Sequence, residues 1–196
     1  MVVWSDETKF QLFGAEGCKY CWRKSTEPLK DQHIIPTTKF NKDSINIWGC
    51  FTYYSIGYLS RIEGNLNAEL YRQILKEELM YSLRYYNLAP KDIIFQHDND
   101  PKHKAKIVQR WLKNNKIRTI SWPSKSPDLN PIENIWNNVK RRVNDLEINI
   151  NDKETLWNNL LEIWNETSEK TCKEYIETMP KRINDIIKAK GSYTRW

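Results

Sequence analysis

The sequence has no apolar run long enough to cross a membrane and no visible signal peptide. A spanning helix needs about 20 predominantly apolar residues, and a secretory signal needs an apolar stretch behind a charged start. Cysteine is scarce, and its four residues are too scattered for a disulfide scaffold. No internal repeat or low-complexity tract is present either. We therefore expect an intracellular protein that makes no contact with membranes.

Two of the cysteines, Cys18 and Cys21, form a single Cys-x-x-Cys pair. It falls in residues 10–24, which otherwise read as two strands joined by a Gly-containing turn. A structural zinc site needs four ligands, and the nearest later candidate, His33, stands alone. The pattern favours ordinary hairpin side chains, and zinc is the alternative.

Aromatic residues and positive charge are abundant. The 196 residues are 39% hydrophobic but include nine Trp and ten Tyr, and the net charge is +6. A chain of this length forms one domain, over residues 1–196, with a full core. The charge favours a polyanionic partner, although a basic protein with no such partner is the alternative.

Residues 93–136 contain the pattern on which the fold prediction depends. An apolar run at residues 93–96 predicts a buried strand that leads into Asp98. Asp100 and Pro101 then predict a helix start, and residues 117–122 predict a second strand. A strand-helix-strand unit of this size is almost always a parallel crossover. Both strands should therefore end at the same edge of the sheet.

Two more acids are predicted at that edge. Residues 2–6 form a short apolar strand that ends in Asp6, and Asn130 and Pro131 predict a helix with Glu133 in its first turn. Ligands bind outside the carboxyl ends of parallel strands, and hard divalent cations prefer carboxylate oxygens. Asp6, Asp98 and Glu133 together therefore predict a site for a pair of divalent metals.

Each acid has a structural alternative. Asp6 would suit a strand end or turn, Asp98 an Asx turn, and Glu133 a capping box with Asn130. Their predicted meeting at one edge favours the metal site.

The remaining chain completes an α/β fold. Residues 45–51 and 58–62 predict an antiparallel hairpin wing beside the parallel strands. Helices are predicted at residues 65–88 and 131–143, and the chain is helical from residue 152 onward, with a break near Pro180.

Several segments resemble the catalytic domain of the mariner superfamily of DNA transposases, in its Asp-Asp-Glu branch. They are, in chain order, WSDETKF, WRK, IWGCF, RIEG, FQHDNDPKH, SWPSKSPDLNPIENIW and MPKRINDIIKAKG, and the resemblance covers nearly the whole chain. It implies a ribonuclease H-like mixed sheet flanked by helices. It also implies that Asp6, Asp98 and Glu133 hold two Mg²⁺ or Mn²⁺ ions, with Asp6 bridging both.

The resemblance further implies cleavage at transposon ends and strand transfer into TA sites of target DNA, in the nucleus, by a homodimer. The helix-turn-helix half that the family carries at its amino terminus is absent from this sequence, so we expect an excised catalytic domain or a truncated copy. Two alternative functions stay open: a catalytically idle, transposon-derived DNA-binding protein, and a ribonuclease H-like nuclease.

Further residues are candidates for supporting the acids or contacting DNA: His97, Asn99, Lys102, His103, Lys104, Trp122, Asp128, Lys140 and Arg141. The histidines, which are poor Mg²⁺ ligands, have plain hydrogen bonding as their alternative. The Trp side chain offers a stacking platform for a base, and a core position is its alternative. A basic carboxyl end is either solvated surface or a contact for the DNA backbone: Lys181, Arg182, Lys188, Lys190 and Arg195.

Overall fold

The computed structural model describes residues 1–12, 44–123, 126–146, 150, 152–191 and 194. These residues contain a five-stranded mixed sheet in the order β3-β2-β1-β4-β5. The strands are β1 Val2–Gln11, β2 Ser44–Phe51, β3 Ser60–Ile62, β4 Ile94–Gln96 and β5 Arg118–Thr119. Strand β2 pairs antiparallel with β1 and β3, whereas β4 pairs parallel with β1 and β5. The predicted antiparallel wing and parallel crossover are both confirmed.

The predicted helix over residues 65–88 is a continuous helical stretch. It comprises α1 Ala68–Ile74, a π-helical turn at Leu75–Leu79 and α2 Met80–Tyr85. The side chain of Asn67 caps α1 by accepting a hydrogen bond from the backbone N–H of Leu70 at 2.9 Å. The residues that recur at helical spacing along this stretch predict its core-facing side, and all of them except the half-buried Ala68 are buried: Tyr71, Ile74, Leu75, Leu79, Ser82 and Leu83.

The later helices are α3 Lys106–Asn114, α4 Ile132–Asn144, α5 Lys153–Asn165, α6 Glu169–Glu177 and α7 Met179–Lys188. The break between α6 and α7 falls where Pro180 predicts it. The helical carboxyl-terminal region is therefore confirmed.

Helices on both faces of the sheet form two apolar cores. On one face, α4 and α5 contribute Trp136 and Trp164, whose rings stack with centroids 5.0 Å apart, and Trp4 of β1 belongs to the same core. On the other face, α1, α2 and α3 pack with Val3 of β1. Adjacent residues of β1 thus point to opposite faces, as the period of two in a strand requires.

The predicted end of the first strand at Asp6 is wrong. Strand β1 continues to Gln11 because β2 pairs with it along the whole length from Trp4 to Gln11. The parallel pairing with β4 stops earlier, at Trp4 opposite Gln96. Asp6 therefore lies inside β1 but just beyond the end of β4, which still leaves it at the carboxyl edge of the parallel strands.

The predicted helix start at Pro101 is also wrong, because α3 begins at Lys106. Asp100 instead stabilises a turn: its carboxylate accepts from the backbone N–H of Lys102 at 2.9 Å, and its carbonyl accepts from that of His103. The second parallel strand is likewise shorter than predicted and covers Arg118–Thr119 only.

The predicted hairpin at residues 10–24 lies largely outside the described residues, as do Cys18, Cys21 and the loop at residues 25–43. In the described part of the chain, no helix is both long and apolar enough to cross a membrane.

Candidate active site

A cleft of about 310 Å³ opens at the carboxyl edge of the parallel strands. All three predicted acids line it, and they come from three different elements. Its lining consists of Asp6, Asp98, Asn99, Trp122, Pro123, Ser126, Pro127, Asn130 and Glu133. Side chains that are far apart in the sequence are thus brought to one place by the fold.

Asp6 and Glu133 are in direct contact within the cleft. Burial raises the pKa of Asp6 from 3.8 to about 9, and the neighbouring charges of Glu133 and Glu7 add to the shift. A hydrogen bond between the Asp6 and Glu133 side chains acts in the same direction. Without a cation, Asp6 therefore keeps its proton at neutral pH, because a second negative charge beside Glu133 is unfavourable.

Asp98 lies on the same cleft but is held differently. Its Oδ1 lies 2.6 Å from Nδ1 of His103 and accepts from the backbone N–H of Asp100 at 3.0 Å. The hydrogen bond with His103 is the largest of the effects that lower the pKa of Asp98 to about 2. Asp98 is therefore ionised at neutral pH, and its side chain is about half exposed to the cleft.

The three acids do not form a closed metal cage in this arrangement. Across the described ranges, no group of three or more His, Cys, Asp or Glu side chains is placed to hold a metal ion. The donor set nevertheless fits a hard divalent cation, since a cation held by Asp6 and Glu133 would replace the proton of Asp6 and offset the repulsion between the two carboxylates.

A chain of contacts behind Asp98 leads to Glu7, a residue that the sequence reasoning missed. Nε2 of His103 lies 3.2 Å from Oε1 of Glu7, and Nζ of Lys102 lies 3.8 Å from Oε2. Burial lowers the pKa of His103, but the contacts with Asp98 and Glu7 outweigh it and raise this pKa to about 9. His103 thus bridges two carboxylates beneath the cleft, and Lys102 is paired with Asp100 at 2.5 Å.

His97 does not reach the cleft surface. It is buried, it stacks on Tyr71 with ring centroids 6.2 Å apart, and its Nδ1 lies 3.2 Å from the Tyr71 hydroxyl. Burial, together with the charge of His103, lowers its pKa to about 4. His97 is therefore a neutral core residue, and the hydrogen-bonding alternative is the one these contacts support.

Two asparagines shape the walls of the cleft. Asn99 donates to the backbone carbonyl of Trp122, whose half-buried ring packs edge-on against Trp4 with centroids 5.8 Å apart. Asn130 is buried and donates from Nδ2 to the carbonyl of Ser5 at 3.2 Å. The predicted capping role of Asn130 is wrong, because no side chain among the described residues caps the start of α4. The Asn130 side chain instead ties the segment before α4 to the strand that carries Asp6.

The other candidates are not among the residues that line the cleft. Lys104 and Arg141 are exposed, whereas Nζ of Lys140 lies 5.8 Å from the centre of the Phe10 ring. Asp128 is not among the residues that line the cleft, and its Oδ2 accepts from the hydroxyl of Thr194 at 2.9 Å. Their contribution to DNA binding stays a prediction.

The mixed sheet and its flanking helices define a ribonuclease H-like domain, with an acidic cleft at one edge of the sheet. A family model described as DDE superfamily endonuclease matches residues 1–157. The chain is 36% identical to the Tcb1 transposase of Caenorhabditis briggsae over 194 residues, covering 99% of this chain and 70% of that protein. It is 34% identical to the Tc1 transposase of Caenorhabditis elegans over the same shares. The chain therefore belongs to the DDE superfamily endonucleases and, within them, to the Tc1/mariner transposases.

Solved structures share the fold. A Mos1 transposase paired-end complex with the left transposon end superposes with a TM-score of 0.80 at 20% identity, covering 98% of this chain and 56% of that one. The crystal structure of the catalytic domain of Mos1 mariner transposase gives a TM-score of 0.75 at 18% identity, covering 99% and 84%. The chain thus spans little more than half of the longer Mos1 chain and most of its catalytic domain. The ribonuclease H-like fold expected from the sequence is confirmed.

Proposed function

We propose that this chain cleaves phosphodiester bonds at transposon ends and transfers the resulting 3′ ends into target DNA, with Asp6, Asp98 and Glu133 as metal ligands. The observation that carries the proposal is the contact between Asp6 and Glu133 in a cleft that Asp98 also lines. Carboxylates on separate elements are forced together there, against their mutual repulsion, and a divalent cation relieves that cost.

The cation requirement follows from the reaction. When two Mg²⁺ or Mn²⁺ ions are bound, they activate the attacking oxygen and stabilise the departing one. Solved Mos1 paired-end complexes include one with Mn and one with Mg. Asp6 would hold the cations together with Glu133 and Asp98, and its contact with Glu133 just beyond the end of β4 supports this role.

The chain's own side chains prepare the cleft for a phosphate backbone. His103 keeps Asp98 ionised, so that its carboxylate is available without prior loss of a proton. Asn99 and Trp122 form one wall, and the exposed Lys104 lies close by in sequence. Contacts of lysine with phosphates position DNA without reading its sequence.

DNA is the partner in this proposal, as transposon end and as target. A Mos1 structure is described as a paired-end complex with the left transposon end, and another as a strand transfer complex. By analogy, we propose that the chain works as a homodimer on paired ends and acts in the nucleus, where its substrate is found.

The direct test is strand transfer from a pre-nicked transposon-end duplex in Mg²⁺ or Mn²⁺. We expect product from the wild type and none from Asp98→Ala. A matched control is Asp92→Ala, an exposed aspartate before β4 at the opposite end of the strand from the cleft. Equal activity of wild type and Asp98→Ala would contradict the assignment.

Two further measurements separate the alternatives. Calorimetric titration with Mn²⁺ should show binding to the wild type that Asp6→Ala removes, independently of turnover. An RNA–DNA hybrid substrate in the same assay tests the nuclease alternative: hybrid cleavage without strand transfer would favour a ribonuclease. DNA binding with neither Mn²⁺ binding nor product would favour the idle DNA-binding protein.

A further inference from the structure

Arg182 on α7 is a buried cation, with 1% of its surface exposed. The sequence places it in the basic carboxyl-terminal run, where a solvated or DNA-contacting side chain is expected. A charge is buried only where partners compensate for lost hydration. The hydrogen bonds of Arg182 therefore indicate its role.

The guanidinium group of Arg182 joins two parts of the segment around Glu133. Nη1 donates to the backbone carbonyl of Asp128 at 2.9 Å, and Nη2 donates to the side-chain oxygen of Asn134. The first acceptor lies in the 3₁₀ turn Pro127–Leu129, and the second is the residue directly after Glu133. One rigid, planar group thus contacts residues before and after Glu133, the metal-ligand candidate, in the sequence.

Arg182 is itself held in place by residues of α6 and of its junction with α7. Its Nε donates to the hydroxyl of Thr178 at 2.7 Å, and that hydroxyl donates to the carbonyl of Tyr175 at 2.6 Å. A second tie comes from Thr194, which donates to the carboxylate of Asp128 at 2.9 Å. The carboxyl-terminal region therefore contacts the turn before α4 through two hydrogen bonds, one from Arg182 and one from Thr194.

The opposite side of the same segment faces the cleft. Pro127, Asn130 and Glu133 line it, and Asn130 donates to Ser5, the neighbour of Asp6. The segment is consequently held by β1 on its cleft side and by Arg182 on the opposite side. These two contacts determine the position of the Glu133 carboxylate relative to Asp6.

We propose that Arg182 is a positioning residue for metal binding: through Asp128 and Asn134 it holds Glu133 against Asp6, without touching metal or DNA. This inference rests on the proposed function, since it assumes that Glu133 is a metal ligand. Residues that support metal ligands from behind typically change metal affinity by about 10- to 100-fold when replaced. Lysine cannot replace the guanidinium group of Arg182, because an ammonium group lacks the fixed planar geometry that reaches two acceptors at once.

The test compares Mn²⁺ affinity, thermal stability and strand transfer in Arg182→Lys. We expect its dissociation constant for Mn²⁺ to rise about 10- to 100-fold, and strand transfer to recover in part at saturating Mn²⁺. A stability control is Gly57→Ala, whose added Cβ would lie 2.5 Å from Sγ of Cys50 and 2.7 Å from Oγ of Ser82. That control should lower the melting temperature and leave Mn²⁺ affinity unchanged.

A second pair of variants tests the link without disturbing the buried cation directly. Asn134→Asp keeps an oxygen acceptor for Arg182 and should bind Mn²⁺ nearly as the wild type does. Asn134→Leu removes the acceptor and should weaken binding, and combining it with Arg182→Lys should weaken binding by less than the product of the single effects. If Arg182→Lys fails to fold, the two Asn134 variants alone test the positioning role of Arg182.

The outcomes distinguish the two levels of the proposal. If Mn²⁺ binds, Asp6→Ala abolishes it, and Arg182→Lys and Asn134→Leu leave it unchanged, the positioning inference is overturned and the metal site stands. If the wild type binds no Mn²⁺, both are overturned.

Discussion

Replacing Gly49 with alanine changes the spacing between the sheet and the helix that carries Glu133. Gly49 is the partner of Asp6 across β1 and β2. A Cβ added there would lie 2.7 Å from Cη2 of Trp136 and 2.8 Å from Cδ2 of Leu59. Trp136 lies on α4, three residues after Glu133, and its ring is confined by the stacked Trp164. The added methyl group therefore pushes α4 away from β2.

The expected destabilisation follows from how tightly the core around Gly49 is packed. Overpacking a well-packed core typically costs about 1–3 kcal/mol, and for a domain of this size each kcal/mol shifts the melting temperature by about 2–4 °C. A cost of about 2 kcal/mol thus predicts a melting temperature lower by roughly 4–8 °C. Because α4 carries Glu133, a displacement of about 1 Å should also reduce strand transfer by about 10²-fold.

The assay pairs thermal unfolding with strand transfer at a temperature well below both transitions. Gly57→Ala serves as the matched control, since its clash with Cys50 and Ser82 is as close but lies away from the acids. We expect similar destabilisation in the two variants and a loss of activity in Gly49→Ala only. If Gly49→Ala loses stability but keeps wild-type activity, the packing of α4 on β2 does not set the catalytic distance, and the reasoning is refuted.

Three further predictions concern single residues. The pKa of Asp6 is raised from 3.8 to about 9, so the unfolded chain releases this proton at lower pH than the folded one, and the metal-free protein loses stability as the pH rises between those values. Asp6→Asn should flatten that part of the curve of melting temperature against pH in EDTA, and an unchanged curve would contradict the raised pKa of Asp6. His103→Gln removes a partner of Asp98 and Glu7 and should reduce strand transfer by about 10-fold or more, whereas full activity would exclude a supporting role. Asn67→Ala removes the cap of α1 and should cost about 1 kcal/mol in denaturant unfolding without changing Mn²⁺ affinity.

Local patterns predicted the elements that depend on neighbours in sequence. The parallel crossover follows from two apolar runs with a helix between them, and the position of Glu133 in the first turn of α4 follows from the preceding proline. The end of β1, the strand that carries Asp6, was harder to predict, because it depends on pairing with β2, some forty residues away. A sequence pattern shows where a strand is favoured but not how far its partner extends.

The supporting contacts could not be predicted for a related reason. Glu7 meets His103 across 96 positions, and Arg182 meets Asn134 and Asp128 across 48 and 54 positions. In the sequence, Arg182 looks like one of several basic surface residues, and only the docking of α7 behind the Pro127–Leu129 turn reveals its burial. Asn130 was assigned to a cap because Asn before a proline is typical of one, but the fold offers it the carbonyl of Ser5 instead.

The neighbouring acids Asp6 and Glu7 project from opposite faces of β1, one toward Glu133 and the other toward His103. A shift of this strand by a single position would send every side chain to the other face. In one direction Glu7 would enter the cleft and Thr8 would face His103; in the other direction Ser5 would enter the cleft and Asp6 would face His103. Inserting or deleting one residue ahead of Asp6 should therefore leave only one of the two locations with a carboxylate.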